Sequence, residues 1–134
     1  MDIVNIDWLE ENLNNDNIII LDCSWHLPNT NRSGEKEFLS ERIPGAIFFN
    51  IDEISDPKSP YPHMIPNEKE FSLKVGNLGI SNDRHIIAYD TLGIFSSARV
   101  YWMFKQYGHR RISILNGGLK SVSYTHLRAH ETVR

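Results

Sequence analysis

The amino-acid sequence predicts an α/β protein, a parallel sheet with helices on both faces. Two observations carry this. Short apolar runs rich in β-branched residues, such as "NIIILDCS" (17–24) and "HIIAYD" (85–90), are too continuous for strands with one wet face. They alternate along the chain with segments of helical period, the arrangement of a crossover-connected parallel sheet. A length of 134 residues is one domain's worth of chain.

"NIDWLEENL" (5–13) reads as a short helix, with Asn5 as N-cap, Asp7 in the positive first turn, and Leu9 and Leu13 on one face. "NIIILDCS" is the first predicted strand. The polar loop "HLPNTNRSG" follows, then "EKEFLSER" (35–42) as a helix stopped before Pro44. "GAIFFNI" (45–51) is a second strand. "SDPKSPYPHMIP" (55–66) carries four prolines and no periodicity, so it is a surface loop. In "NEKEFSLKVGNLGI" (67–80), Asn67 caps a helix, Glu70 stands three residues on, Phe71, Val75 and Leu78 share a face, and Gly79 supplies the stop. "HIIAYD" is a third strand. "FSSARVYWMFKQYG" (95–108) is a helix apolar nearly all round and is expected to be deeply buried. "RISILNGG" (111–118) is a fourth strand whose Gly117 and Gly118 permit a tight turn.

Composition excludes several classes. A hydrophobic share of 40% with 23% charged residues is ordinary for a globular domain. The net charge is −3 with no basic block, which argues against nucleic acid. No apolar run reaches the roughly eighteen residues of a membrane span, and "MDIVNIDWLEENL" has no signal-peptide core. One cysteine forbids an internal disulfide and fits a cytoplasmic protein.

In a parallel sheet, ligands sit beyond the carboxyl ends of the strands. Three loops lie there: Cys23–Trp25, Asp90–Phe95 and Asn116–Gly118. Cys23 is the only thiol. It follows the first predicted strand with nothing cationic beside it except His26, so it reads as a small buried core residue rather than a nucleophile. Trp25, Trp102, Phe104 and Tyr107 read as packing residues, in the core or between domains.

Six segments carry a family likeness: "LDCSWHLP", "ERIPGAIFFNIDEISD", "SPYPHMIP", "LGISND", "YDTLGIFSSARVYWMFKQYGH" and "ILNGGL". In this order and spacing the chain resembles the N-terminal domain of tandem rhodanese-fold sulfurtransferases, the thiosulfate and 3-mercaptopyruvate branch, from about Ile3 to Leu119. The resemblance implies a rhodanese-like sheet, incomplete at its C-terminus, and a second rhodanese domain in the same parent chain that carries the catalytic cysteine. It implies a small-molecule sulfur donor as substrate, no cofactor and no metal. In catalytic rhodanese domains the cysteine stands directly after a strand, and loop amides surround its sulfur. Here Asp90 occupies that place. With Gly93 and Arg99 it marks a degenerate cradle, in which Asp90 either caps the loop's N–H groups, pairs with a cation such as Arg99, or is only a turn residue. Arg99 is read as structural, paired with a carboxylate, rather than as a binder of substrate anions. Asp52 and His63 match an Asp and His that, in the mercaptopyruvate branch, reach across to orient a serine of the second domain. The plainer alternatives are a helix cap for Asp52 and a loop position for His63.

The last residues break the pattern. Val122 to Thr132 of "SVSYTHLRAHETVR" resemble, without mismatch, the translation of a transposon-end sequencing adapter. Residues 1–120 are therefore expected to be the native, truncated domain and 121–134 an appended tail. His126 and His130, at the i,i+4 spacing of a helical metal site, fall with that tail. The expected function is the N-terminal half of a sulfurtransferase, inactive alone. The alternative is a non-catalytic rhodanese-like binding or regulatory module. A phosphatase or arsenate reductase relative needs a cysteine where Asp90 stands.

Overall fold

The computed structural model describes residues 2–55, 65–119 and 129–130. The elements run β1 (Ile3–Val4), α1 (Ile6–Asn12), β2 (Ile18–Asp22), α2 (Gly34–Ser40), β3 (Glu41–Arg42), β4 (Ile47–Phe48), α3 (Glu68–Asn77), β5 (His85–Tyr89), α4 (Ser96–Gln106), β6 (Ile112–Leu115) and β7 (Ala129–His130). Five strands form one sheet in the order β1-β6-β5-β2-β4, and every pairing in it is parallel. β3 and β7 pair antiparallel beside it. The central pair is β2 with β5, in register from Ile18 against His85 to Asp22 against Tyr89.

Successive side chains of a strand point to opposite faces, and both faces here are covered. Ile19, Leu21, Ile86 and Ala88 pack with Phe71 and Val75 of α3 and Val100, Met103 and Phe104 of α4. Ile20, Ile87 and Tyr89 pack on the other face with Leu9 of α1, Ile43 and Leu115. The uninterrupted apolar character of "NIIIL" and "HIIAY" follows from that two-sided burial.

Helix ends form where their chemistry dictates. Asn5 Oδ1 accepts from Trp8 N–H (2.9 Å), Ser33 Oγ from Lys36 N–H (3.2 Å) and Asn67 Oδ1 from Glu70 N–H (2.8 Å). α3 closes with Gly79 at φ +87° and Ile80 N–H bonded to the Val75 carbonyl at 3.2 Å, a Schellman stop.

Three expectations are corrected. β1 adds a strand that two residues are too short to announce by periodicity; its register with β6 is Ile3 against Ile114. α2 ends at Ser40, because Glu41 and Arg42 become extended and pair with β7. α4 is not buried all round. Ser96, Ser97, Val100, Met103 and Phe104 face inward, while Trp102 is 55% exposed. Among the described residues no helix is long and apolar enough to cross a membrane.

Candidate functional site

The predicted loops do converge beyond the carboxyl ends of β2, β5 and β6. Asp90 follows β5 directly and is 1% exposed. Its Oδ1 accepts from Leu92 N–H at 2.9 Å; its Oδ2 accepts from Phe95 N–H at 2.9 Å and Ser97 N–H at 2.8 Å. The loop therefore turns its amides inward around a carboxylate at the N-terminus of α4, where negative charge is favoured by unsatisfied N–H groups and the helix dipole. Of the three readings of Asp90, the geometry is that of a cap for the loop's amides. No ion pair joins it to Arg99, whose Nε is buried without a hydrogen-bond partner. The expected Asp90–Arg99 pairing is thus corrected: the carboxylate's acceptor positions are spent on three amides of its own loop.

The neighbouring loops lock this cradle. Thr91 N–H donates to Ser24 Oγ at 3.1 Å, and Leu119 N–H donates to the Asp90 carbonyl at 3.0 Å. Gly118, at φ +58°, lies so close that a Cβ there would stand 2.1 Å from the Asp90 oxygen and 3.0 Å from Gly93 N and Cα. Gly93 takes φ +111° and forms an isolated bridge with Asp90. The sequence announces a turn at Gly118; the close approach to Asp90 is not visible in it. Neither is Ser24, a hydroxyl between two loops distant in sequence.

Beneath the cradle the buried groups are chemically quiet. Cys23 is 0% exposed, and burial pushes its thiol pKa well up, with the Asp22 and Asp90 charges adding to the rise. A thiol so placed is a poor source of nucleophilic thiolate. Asp22 accepts from Ser24 N–H at 2.9 Å, and burial raises its carboxyl above the ordinary range. The Tyr89 hydroxyl, also pushed up by burial, bonds to Asp22 and accepts from Ile43 N–H at 3.3 Å.

Asp52 is elsewhere and differently used. It lines an open cleft of ≈ 690 Å³ at the ends of β2 and β4, with Trp25, His26, Arg32 and Asn50. Trp25 Nε1 donates to Asp52 Oδ1 at 3.3 Å. Asp52 is not the cap of the turn it begins: Asn50 Oδ1 accepts from Asp52 N–H (3.0 Å) and Glu53 N–H (3.2 Å). Deeper in the cleft, His26 Nε2 bonds Glu37 Oε1 at 3.0 Å, and Glu37 takes a two-pronged contact from Arg32 that holds its carboxyl below the usual range. His63 lies outside the described residues. No group of three or more His, Cys, Asp or Glu among the described residues is placed to hold a metal ion.

The rhodanese-like domain profile matches residues 5–124. Thiosulfate/3-mercaptopyruvate sulfurtransferase 1, mitochondrial, of Arabidopsis thaliana is 44% identical over 117 residues, which are 87% of this chain and 31% of the relative. Thiosulfate sulfurtransferase of Rattus norvegicus is 45% identical over 125 residues, 89% of this chain and 42% of the relative. Among solved structures, SseA from Escherichia coli, described as a 3-mercaptopyruvate sulfotransferase, superposes with a TM-score of 0.84 at 39% identity. The match covers 89% of this chain and 46% of that one. The chain thus spans less than half the length of these relatives. By the profile match and the shared sheet, it belongs to the rhodanese-like domain family.

Proposed function

We propose that this chain is the N-terminal half of a sulfurtransferase that moves sulfane sulfur from 3-mercaptopyruvate or thiosulfate to a thiol or cyanide. The sulfur is carried as a persulfide on a cysteine of a second domain, and the 134-residue chain alone is inactive. The filled cradle carries this reading. In the loop after β5, whose amides surround an anion, the anion is the carboxylate of Asp90, held by three amides at 2.8–2.9 Å.

The chemistry explains why that matters. A thiolate attacks the outer sulfur of thiosulfate; a new S–S bond forms, the donor's S–S bond breaks, and its electron pair leaves with sulfite. Cyanide then takes the outer sulfur as thiocyanate and returns the thiolate, a two-step exchange through a covalent intermediate. A carboxylate cannot hold sulfane sulfur this way, and Cys23 is buried and disfavoured as a thiolate. The names of the relatives, and the share of their length this chain spans, support the rest. Asp52 at an open cleft supports its part in an Asp–His relay toward a serine of the second domain, since carboxylate, imidazole and hydroxyl form the triad's logic. A single buried, unpaired thiol fits a reducing compartment, and we place the chain in the cytoplasm.

The test is thiocyanate production from thiosulfate and cyanide by the purified chain. No turnover above buffer is expected. Turnover abolished by Cys23→Ser would overturn the reading.

A further inference from the structure

We propose that Glu37 is a positioning residue: it clips both ends of the loop between His26 and Arg32, and through Trp25 it sets the Asp52 carboxylate in the cleft. The role in turnover rests on the sulfurtransferase reading above; the clip itself does not.

The loop leaves β2 by way of Trp25, makes one 3-10 turn over Pro28–Thr30 and turns back at Asn31, whose φ is +57°. Thr30 Oγ1 donates to the Leu27 carbonyl at 2.6 Å and closes the turn. One carboxylate then holds the two ends. Glu37 Oε1 bonds His26 Nε2 at 3.0 Å and accepts from Arg32 Nη2 at 3.0 Å, and Oε2 accepts from Arg32 Nε at 2.9 Å. A two-pronged guanidinium contact fixes direction as well as distance. The His26 side chain is only 3% exposed, so its half of the clip is shielded from water. Arg32 first, with help from His26, holds the Glu37 carboxyl below its ordinary range, and the clip keeps its charge at neutral pH.

The support behind the clip is close-packed. α2 carries Glu37, and a Cβ on its first residue, Gly34, would stand 2.4 Å from the Ser24 carbonyl oxygen. Ser24 is tied in turn to the loop after β5 by Thr91 N–H. Trp25, His26 and Arg32 line the cleft with Asp52, whereas Glu37 stands behind that wall and acts through the side chains it holds. Trp25, next to His26 in sequence, packs its ring on the core and donates its indole N–H to Asp52 Oδ1 at 3.3 Å. Asn50 fixes the Asp52 backbone N–H at 3.0 Å. Functional groups keep their geometry only when the side chains around them are themselves locked, and Glu37 supplies that lock.

The two sulfur donors differ in what they ask of Asp52. When a thiolate attacks the sulfur of 3-mercaptopyruvate, an S–S bond forms and the C–S bond breaks. The electron pair leaves with carbon as an enolate, which becomes pyruvate when a proton reaches that carbon. From thiosulfate the pair leaves on sulfite, a stable anion that needs no proton. A carboxylate–imidazole–hydroxyl relay moves protons, so a displaced Asp52 should harm the first reaction more than the second.

The test has two arms. In the 134-residue chain, Glu37→Gln keeps the side chain's size and removes its charge and one acceptor oxygen. Amide exchange at Leu27, Thr30 and Asn31 is expected to quicken about tenfold, with Ile86–Ala88 of the sheet unchanged. Unchanged loop exchange overturns the clip, and so does exchange that quickens equally in loop and sheet. In the longer polypeptide, from the gene read through its natural stop codon, Glu37→Gln and Trp25→Phe should each lower kcat for 3-mercaptopyruvate about tenfold, with little change in KM. Each should lower kcat for thiosulfate less. Trp25→Phe keeps a ring, removes the N–H and should leave loop exchange as in the parent chain. The double variant should lose no more than the worse single one, because both act on the same carboxylate. Equal falls for the two donors, a loss carried by KM, or a parent that uses thiosulfate alone overturns the positioning role. A longer polypeptide that transfers sulfur from neither donor defeats the sulfurtransferase reading and the role in turnover with it, while loop exchange still decides the clip.

Discussion

Asp90 and Asp52 are the same side chain at the same end of the sheet, put to opposite uses. Asp90 is buried and spends its oxygens on three amides of its own loop. Asp52 is exposed at the rim of an open cleft, and Asn50 does the capping beside it. The loop that most resembles an active site is therefore closed and self-satisfied, while the second carboxylate faces an open cleft at the ends of β2 and β4. The contrast separates a buried carboxylate that builds its own loop from an exposed one at the rim of a cleft, and substitutions can measure it.

The largest effect is expected from closing the last gap around Asp90. Gly118→Ala sets a Cβ against a backbone oxygen that cannot move without the loop, at a φ that L-residues rarely adopt. Strain and overpacking together should cost about 3 kcal/mol or more in a denaturant melt. Gly45→Ala is the control. Its φ is +80° but nothing lies within 4 Å of the added Cβ, so it should cost only about 1 kcal/mol. Equal losses would mean the cradle is not tightly closed. Next comes Asp90→Ala, which strands three amides, one on the buried Ser97; about 2–3 kcal/mol should be lost. Asp90→Asn keeps one acceptor oxygen and should fall between Asp90→Ala and the parent chain.

Much of this was legible before any coordinates. The two-sided burial of β2 and β5 is written in unbroken β-branched runs, and the caps Asn5 and Asn67 in residue type and spacing. Asp90 is identifiable as the residue standing after a strand, but its partner is not: a carboxylate in the loop before a helix whose first turns carry an arginine suggests an ion pair, and only the inward turn of the Leu92, Phe95 and Ser97 amides shows the amides winning. The expected all-round burial of α4 fails for a related reason. In a run as apolar as "VYWMF", composition does not say which side meets the sheet; the angular position of Val100, Met103 and Phe104 does. β1 and the contact of Gly118 with Asp90 depend on strands far apart in sequence, and two residues or one glycine carry no such signal.

A smaller effect, at the opposite end of β5, isolates the aspartates from the background titration of the fold. His85 bonds Ser113 Oγ at 2.8 Å and meets the Trp8 ring edge-on at 5.5 Å. Burial first, then the charge of Arg111, holds its imidazole below the ordinary 6.5, so the fold prefers the neutral ring. That contribution is complete above pH 6.5 and is lost as pH falls through the lower folded value. Stability should slope downward on acidification from neutrality, and His85→Gln should flatten the slope. Burial acts with the opposite sign on Asp22, whose raised carboxyl favours the fold at lower pH. A slope unchanged in His85→Gln would assign the acid sensitivity to other groups.

The smallest effect should come from Asp52→Asn. The residue is exposed and its turn is capped by Asn50. Asparagine keeps a carbonyl oxygen for the Trp25 indole N–H, so the contact with that half-buried ring survives. Substitutions at such surface positions usually move stability by less than about 0.5 kcal/mol. The denaturation midpoint should therefore stay within error of the parent chain, while Asp90→Asn, chemically the same change, moves it measurably. If Asp52→Asn instead destabilises the domain as much as Asp90→Asn, then Asp52 is a structural group, and its part in any relay toward a second domain loses its support. If stability is untouched, Asp52→Asn becomes the clean variant for activity: a fall in turnover of the longer polypeptide with an unchanged melt can come only from the chemistry or geometry of the cleft, not from a weakened fold.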